Sequence, residues 1–331
     1  MGRSWLAWTG ERVNVEAGND PLVSVVIPMF NAGPWIREAL ASVAMQTHAV
    51  HECIVVSDGS TDDGPDIVRD VQRGGSLPLR LVEIEHAGVS VARNTGINAA
   101  SGQYVALLDA DDVWNERKLE YQLETLVRTG TTMCTTGYAL FDSETRKVLG
   151  VVASRRADRA IRQWLAMEGN GLALSSTALF SRSVIESMED FDPRISIVED
   201  LEFSVRMQDA GMVTIDRRVL VGYRVHAGQA HGQIEGVTAN RAALYDLLPI
   251  ERYGLSFARR CRSNLEAHVG YYLLVHRQVR KAFGHLGKAF RLDPRRLVTL
   301  PLYALLRRVG RRLHAWTCRV SLWPQPHSQC R

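Results

Sequence analysis

Short apolar runs rich in Val and Ile alternate with amphipathic segments along the first third of the chain. The runs occupy residues 22–30, 51–58, 79–85 and 104–109. Such runs suit parallel strands, because the helical crossovers between parallel strands cover both faces of the sheet. The alternation therefore predicts an α/β domain with a mostly parallel sheet.

A polar residue stands at or just after the end of each apolar run: Asn31, Asp58, His86 and Asp109. The carboxyl ends of parallel strands lie at one edge of a sheet, and ligands of α/β proteins bind there. These four residues are therefore the first candidates for a binding site.

Charge is distributed unevenly along the chain. Residues 1–250 hold 23 Lys and Arg against 33 Asp and Glu, whereas residues 251–331 hold 17 against 3. An acidic body with a basic tail indicates two surfaces with different partners. The five cysteines are scattered without a CxxC pair, which argues against a disulfide framework or a zinc site and suits a reducing compartment.

The fourth apolar run ends in three carboxylates, Asp109, Asp111 and Asp112. Acids at i and i+2 of an extended segment point to the same side, with Cα atoms about 6–7 Å apart. Such a pair can hold one divalent cation beside a sugar or a phosphate, and the cation offsets their repulsion. Alternatively, Asp111 or Asp112 caps a helix over residues 115–127. A cap accounts for one acid but not for three.

Asp58 stands where a dinucleotide-binding fold places the acid that holds a ribose. That fold also requires a G-x-G-x-x-G turn after its first strand, and the turn here reads "PMFNAG". The dinucleotide interpretation therefore fails at its most specific point. Asp58 could instead accept a hydrogen bond from a base, or simply form a turn with Gly59.

Arg93 lies in the first turn of a helix predicted over residues 89–100. The helix dipole disfavours a cation at that position. A contact with a phosphate or a base carbonyl suits this guanidinium better, with a surface salt bridge as the alternative.

Four segments in order carry a family resemblance: "VSVVIPMFNAGPWIREALASVAMQT", "ECIVVSDGSTDDG", "GVSVARNTGINAASGQYVALLDADDVW" and "VEDLEF". Together they resemble family 2 glycosyltransferases over about residues 22–225. The resemblance implies the GT-A nucleotide-diphospho-sugar transferase fold. It also implies an inverting transfer of a sugar from a nucleotide-diphosphate donor, assisted by Mg²⁺ or Mn²⁺.

The resemblance also assigns donor-binding residues, which are Pro28, Phe30, Asn31, Asp58, Arg93, Asp109 and Asp111. The first three would line the nucleotide pocket, and Asp58 would contact uracil. Arg93 would support the base or the diphosphate. Asp109 would contact the ribose and the sugar, and Asp111 would bind the metal.

The same family places its general base in an acidic pair well beyond the DxD segment, a position that Glu199 and Asp200 fit. One carboxylate would take the proton of the acceptor hydroxyl while its oxygen attacks the anomeric carbon, opposite the leaving diphosphate. We predict Asp200 as this base, with Glu199 in reserve. The start of a helix over residues 196–211 would help to keep it ionised, and helix capping is the alternative role.

The segment "YRVHAGQAH" (residues 223–231) resembles the part of these enzymes that closes over the diphosphate. His226 would bind the metal or touch a phosphate, with Arg224 assisting, and a structural histidine is the alternative. Family members often carry Ser or Asn shortly after this histidine, whereas Gln229 and Ala230 stand here.

Residues 295–323 set Leu, Val, Tyr and Trp against paired arginines. The pattern predicts two short interfacial helices, interrupted by Pro301, on an anionic membrane surface. A partner-binding helix pair and a solvated face packed on the body are the alternatives. No motif for binding nucleic acid accompanies this charge.

The sequence thus divides into an N-terminal extension (1–20), a GT-A domain (21–235) and a helical basic C-terminal region (236–331). Residues 21–115 would form the nucleotide-binding half of the domain, and residues 116–235 the acceptor half.

The favoured function is transfer of a sugar, most simply from a UDP-sugar, to a hydroxyl of a glycan or a lipid-linked acceptor. The product would be a surface polysaccharide or a glycolipid, made in the cytoplasm or at the inner face of the cell membrane. A sugar nucleotidyltransferase is a second candidate, although it would carry a Gly-rich basic loop in place of "PMFNAGPW". A non-catalytic nucleotide-sugar-binding scaffold is the third, and the presence of both acidic motifs argues against it.

Overall fold

The computed structural model describes residues 20–153, 156–168, 174–188, 190–195, 197–226, 234–248 and 250–295. In chain order the strands are β1 (Val23–Met29), β2 (Glu52–Asp58), β3 (Leu79–Ile84), β4 (Tyr104–Leu107), β5 (Val113–Trp114), β6 (Met133–Asp142), β7 (Val148–Val152), β8 (Leu179–Ser181) and β9 (Val213–Val225). The helices are α1 (Gly33–Ala44), α2 (Gly64–Arg73), α3 (Val89–Ala99), α4 (Lys118–Thr129), α5 (Ala157–Leu165), α6 (Leu174–Thr177), α7 (Arg182–Ser187), α8 (Glu199–Asp209), α9 (Ile234–Leu247), α10 (Leu255–Val275) and α11 (Val279–Leu292).

These strands form one sheet in the order β3-β2-β1-β4-β8-β6-β9-β5, with β7 beside β6. The four strands β3, β2, β1 and β4, which are neighbours in this order, pair in parallel, as predicted for the nucleotide-binding half. The remainder is mixed: β8 is antiparallel to β4 and β6, β5 is antiparallel to β9, and β6 is parallel to β9. "Mostly parallel" is therefore too strong for the acceptor half. One reason is that β6 and β7 are joined by a short hairpin, which only antiparallel neighbours allow.

Helices cover both faces of this sheet. On one face α1 and α4 pack through residues such as Ile36 and Leu119. On the other face α3 and α8 pack through Ile97 and Phe203. The strand β1 is buried along its whole length, which accounts for its unbroken apolar run. Burial of each large side chain contributes about 1.5–3 kcal/mol.

The helix α3 approaches the sheet closely at Gly96. A Cβ at this position would lie 2.3 Å from Val26 Cγ1 and 3.2 Å from Val56 Cγ2. Only glycine permits this approach. Arg93 lies three residues earlier on the same helix, so the close packing brings its side chain to the end of β4.

The C-terminal helices share a core with the body of the protein. Leu244 and Tyr245 of α9 and Cys261 of α10 pack with Ile161 of α5 and Val205 of α8. The helical character predicted for residues 236–331 is therefore confirmed for α9, α10 and α11. Residues 1–19 and 296–331 lie outside the described residues, and so do most of the predicted interfacial helices. The domain boundaries stay a prediction.

No helix in the described ranges combines the length and the apolar character that a membrane span requires.

Candidate active site

The loops that follow β1 and β2 are tied together by Asn31. Its Oδ1 accepts a hydrogen bond from Thr61 N at 2.8 Å, and its own N–H donates to Ser60 Oγ at 3.1 Å. The φ angle of Asn31 is 48°, a left-handed conformation that Asn tolerates better than most residues with a Cβ. Two of the predicted strand ends are thereby held at the same edge of the sheet.

An aromatic pair lies beside this junction. The half-exposed ring of Phe30 stacks on His86, with centroids 4.3 Å apart and an interplanar angle of 27°. Pro28 is buried within β1, so it shapes the strand end from inside. The outer face of Phe30 is suitable for stacking against a nucleotide base. The sequence marked His86 only as a strand-end residue and did not predict this pairing.

Asp58 is buried at the end of β2 and organises the loop before α3. Its Oδ1 accepts a hydrogen bond from Ala87 N at 2.7 Å, and its Oδ2 accepts one from Gly88 N at 2.9 Å. His86 Nδ1 lies 3.0 Å from the same Oδ2. A carboxylate offers about four acceptor positions, so these contacts leave capacity for a base N–H. The uracil contact stays a prediction.

Arg93 forms the centre of a buried charged cluster. Its side chain is 3% exposed. Its Nη1 donates to Glu199 Oε1 at 2.5 Å, and its Nη2 donates to Asp109 Oδ1 at 2.9 Å and to Ser175 Oγ at 2.7 Å. Arg93 thus forms buried salt bridges in place of the surface salt bridge considered from sequence. A direct contact of Arg93 with a phosphate or a base stays a prediction.

The predicted acidic pair begins α8 and reaches the same cluster. Glu199 is buried, and its Oε2 has no hydrogen-bond partner among the described residues. Asp200 is half-buried, and its Oδ1 accepts a hydrogen bond from Leu201 N at 2.7 Å. That bond satisfies one of the free N–H groups of the first helical turn, so Asp200 has part of the capping role considered as the alternative.

Burial raises the pKa of Asp200 well above its usual range, and the neighbouring Glu199 carboxylate adds to the increase. Arg93 opposes the shift by favouring the charged form. The helix start was expected to favour the ionised form of Asp200, but desolvation and the adjacent Glu199 carboxylate have the larger effect on its pKa. A carboxylate with a raised pKa is a stronger proton acceptor, which suits a general base.

The predicted role of Asp200 as a general base implies a pH dependence. A general base acts only when it is deprotonated, so activity should fall as the pH drops through the raised pKa of Asp200. We expect the acid limb of kcat/KM to lie well above the ordinary aspartate value of about 3.9. In Glu199→Gln the limb should move to lower pH, because one neighbouring charge is removed. A limb at an ordinary aspartate pKa in the native protein would contradict this assignment.

The segment with the three acids forms a turn and not the extended segment that the sequence predicted, whereas its role as a DxD site stays a prediction. Asp112 N donates to Asp109 O at 3.0 Å, and the chain reverses before the short strand β5 pairs with β9. Asp112 is buried and accepts hydrogen bonds from Ser176 Oγ at 2.5 Å and Arg224 N at 3.0 Å. It therefore anchors the turn. Capping of the next helix is also wrong, because α4 begins after Arg117 without a side-chain cap.

The two predicted metal ligands lie side by side. Asp111 Oδ2 is 3.0 Å from His226 Nε2, although 115 residues separate them. The His226 ring packs on Trp35 with centroids 3.9 Å apart. Arg224 Nε donates to Asp111 O at 2.6 Å, and its Nη2 donates to Glu38 Oε2 at 2.6 Å. The sequence favoured core packing for Trp35 over stacking on a base or a sugar, and it did not single out Glu38. They lie three residues apart on α1, a spacing that places both on one face.

The 3.0 Å between Asp111 Oδ2 and His226 Nε2 is the distance of a hydrogen bond. Adjacent ligands of an octahedral ion with bonds of about 2.1 Å are also about 3.0 Å apart, so the pair is close enough to share a cation. Within the described residues, no group of three or more His, Cys, Asp and Glu could hold a metal alone. A cation here would therefore take further ligands from a diphosphate and from water. Residues 227–231 of the predicted closing segment lie outside the described residues.

Sequence comparison places the chain near glycosyltransferases. The family model described as "Glycosyl transferase family 2" matches residues 24–188. TuaG of Bacillus subtilis, a glycosyltransferase assigned to teichuronic acid biosynthesis, is 40% identical over 120 residues. The alignment covers 36% of this chain and 48% of TuaG, so the match spans about half the length of that relative. EpsH of the same organism, a glycosyltransferase by name, is 30% identical over 213 residues, which cover 62% of this chain and 61% of EpsH.

Solved structures support the fold. S. aureus TarS (residues 1–349), in complex with UDP-GlcNAc, has a TM-score of 0.57 at 19% identity and covers 89% of each chain. The mannosyltransferase PcManGT from Pyrobaculum calidifontis, in complex with GDP-Man and Mn²⁺, has a TM-score of 0.56 at 19% identity. That alignment covers 89% of this chain and 81% of PcManGT. These similarities confirm the predicted α/β fold class of the GT-A type.

Proposed function

Because the chain belongs to glycosyltransferase family 2, we propose that it transfers a sugar from a nucleotide-diphosphate sugar to an acceptor hydroxyl, with inversion at the anomeric carbon. One observation carries this proposal. Arg93 bonds to Asp109 in the acidic turn and to Glu199 beside Asp200. Two residues assigned to the donor, Arg93 and Asp109, therefore belong to one connected cluster with the chain neighbour of the residue assigned as base.

The donor that this site fits best is a UDP-sugar. Phe30 would stack on the uracil ring, and Asp58 would accept the hydrogen of the ring N3–H. Asp109 would bind the ribose and the sugar. The complexes of TarS with UDP-GlcNAc and of PcManGT with GDP-Man support a donor of the nucleotide-sugar class. In addition, the turn "PMFNAGPW" lacks the Gly-rich basic loop that a nucleotidyltransferase would use for a triphosphate.

Asp111 and His226 would hold the divalent cation. Mn²⁺ suits this pair better than Mg²⁺, because Mg²⁺ prefers an all-oxygen ligand set and His226 offers a nitrogen. The complex of PcManGT with Mn²⁺ supports this choice. When bound, the cation would neutralise charge on the departing diphosphate. Arg224 and Trp35 would keep the two ligands in place, through the Asp111 carbonyl and the His226 ring.

Asp200 would act on the acceptor. Its carboxylate takes the proton of the acceptor hydroxyl while the oxygen forms a bond to the anomeric carbon. The bond from that carbon to the diphosphate oxygen breaks on the opposite side, and the nucleotide diphosphate leaves with the electron pair. Arg93 holds Glu199 and Asp109 in position and so connects the two sides of the reaction.

The acceptor proposed here is a glycan or a lipid-linked hydroxyl in the synthesis of a surface polysaccharide or a glycolipid. The teichuronic acid assignment of TuaG supports a polysaccharide product. Such synthesis would place the protein in the cytoplasm or on the inner face of the cell membrane.

A panel of UDP- and GDP-sugars, incubated with and without Mn²⁺, tests the proposal. We expect Mn²⁺-dependent release of UDP from one UDP-sugar. Asp111→Asn should weaken the apparent Mn²⁺ affinity at least about tenfold, because one of the two ligands is lost. Asp66→Asn, an exposed carboxylate on α2, is the matched control and should behave like the native protein.

Three results would contradict the proposed function. Release of pyrophosphate from a nucleoside triphosphate and a sugar phosphate would indicate a nucleotidyltransferase. Binding of donor without cleavage, even with acceptor present, would indicate a scaffold. Unchanged Mn²⁺ dependence in Asp111→Asn would remove the metal assignment.

A further inference from the structure

An apolar stripe on α11 faces solvent. It consists of Val279, Phe283 and Phe290, which are 51%, 66% and 57% exposed. Their spacing of four and seven residues places them on one side of the helix. Val275, at the end of α10, is 79% exposed and lies close to the start of α11 in the chain. Phe283 and Phe290 lie on the same side of the helix about two turns, or about 10 Å, apart.

The α11 stripe has no part in holding α11 against α10. That contact is made by Ala282 and Ala289, which are fully buried. Leu286 adds to it at Gly270, where a Cβ would lie 2.6 Å from Leu286 Cγ. The helix therefore has one face that is packed and a neighbouring face that is apolar and open.

Positively charged residues lie along one side of the α11 stripe and on the opposite face of the helix. The exposed basic residues of this region are Arg277, Arg280, Lys281, Lys288 and Arg291. Glu266 of α10 pairs with Lys288 at 3.9 Å, and residues 267–292 contain no Asp or Glu. Arg280 and Arg291 directly follow Val279 and Phe290, so they stand about 100° around the helix from the stripe. An apolar stripe bordered by cations is typical of a helix that lies in a membrane interface.

We propose that the α11 stripe docks on a membrane surface that contains anionic phospholipid. The phenyl rings enter the headgroup region, and the flanking arginines contact lipid phosphates. This surface is distinct from the predicted interfacial helices over 295–323, because it lies on a helix that the structure describes. This inference rests on the proposed function only for the purpose of the docking, which is to bring the candidate active site to a lipid-linked acceptor.

The charge around the α11 stripe favours an anionic lipid surface over two other partners, a second copy of the chain and residues 296–331. A second copy of the chain would place the basic border against itself across a two-fold axis, and like charges there are unfavourable. Residues 296–331 contain seven Arg and no Asp or Glu, so they carry the same sign as the border of the stripe. An anionic lipid surface is complementary to both the apolar stripe and its border.

Cosedimentation of the full chain with vesicles tests this proposal without donor or acceptor. We expect binding to phosphatidylcholine vesicles that contain phosphatidylglycerol, and weak binding to phosphatidylcholine alone. The double substitution Phe283→Ser and Phe290→Ser should lower the partition coefficient about tenfold or more, because two rings lose their burial. The double substitution Arg280→Gln and Arg291→Gln should weaken binding to the vesicles with phosphatidylglycerol but not to those of phosphatidylcholine alone. Added salt should weaken binding of the native protein to the anionic vesicles in the same way. Val127→Ser, on α4 and 56% exposed in the native protein, is the matched control.

Native binding by the double serine variant would overturn the proposal, since another segment would then carry the interaction. Absence of native binding to anionic vesicles would overturn it as well. A native protein that forms a dimer and binds no vesicles, together with a monomeric double serine variant, would also overturn it.

Nucleotide-sugar hydrolysis by the same variants is measured in parallel. A protein that binds vesicles through α11 but cleaves no nucleotide-sugar refutes the proposed function and leaves this inference intact.

Discussion

Replacement of Asp200 by Asn should lower the rate of sugar transfer by about 10²–10⁴-fold, the usual contribution of general base catalysis. Asn has the size of Asp but does not accept a proton from an acceptor hydroxyl at neutral pH. The residues assigned to the donor lie on other elements, so donor binding should be unchanged. Steady-state transfer gives the first quantity, and calorimetric titration with UDP gives the second.

The control for this experiment is Asp209→Asn, a carboxylate at the other end of α8 that pairs with Arg252 and Tyr253. We expect transfer by this variant at close to the native rate. Normal transfer by Asp200→Asn would refute the base assignment. In that case Glu199→Gln would become the decisive variant, because Glu199 is the other acid of the pair.

Replacement of Arg93 by Met should lower the free energy of unfolding by about 3–5 kcal/mol, the cost of removing one partner from a buried ion pair. Glu199 would be left buried without its partner, and Asp109, which is partly exposed, would lose its cation. Denaturant unfolding monitored by circular dichroism measures the change. The double variant Arg93→Met and Glu199→Gln lacks the unpaired Glu199 charge. It should recover part of the lost free energy of unfolding, since the effects of the two substitutions are coupled.

Arg69→Met is the matched control for Arg93→Met. Arg69 also bonds two carboxylates, Asp66 and Glu83, but on the surface, and surface ion pairs contribute little. We expect near-native unfolding for this variant. A loss in Arg93→Met no larger than that in Arg69→Met would show that the charged cluster does not stabilise the fold.

Much of the nucleotide-binding half follows from local sequence. The apolar runs form β1, β2 and β4 near their predicted limits, because a strand buried on both faces needs a continuous apolar segment. The third run also forms a strand, β3, but at the edge of the sheet and partly exposed. Gly211 directly follows the C-cap of α8 and has a φ of 71°, the left-handed conformation in which many helices end. The acceptor half follows less directly from sequence. The direction of β8 and β9 depends on which distant strands they pair with, and apolar periodicity carries no record of a partner.

The sequence alone determined the chemistry that is present: the acidic turn after β4, the acidic pair that opens α8, and the family to which their order belongs. Tertiary structure decided how each group is used. It closed Asp109 to Asp112 into a turn, buried Arg93 between two acids, and brought His226 to 3.0 Å from Asp111. The physical reason is that burial and charge pairing arise between residues far apart in the chain, whereas residue type and local spacing can be read along it.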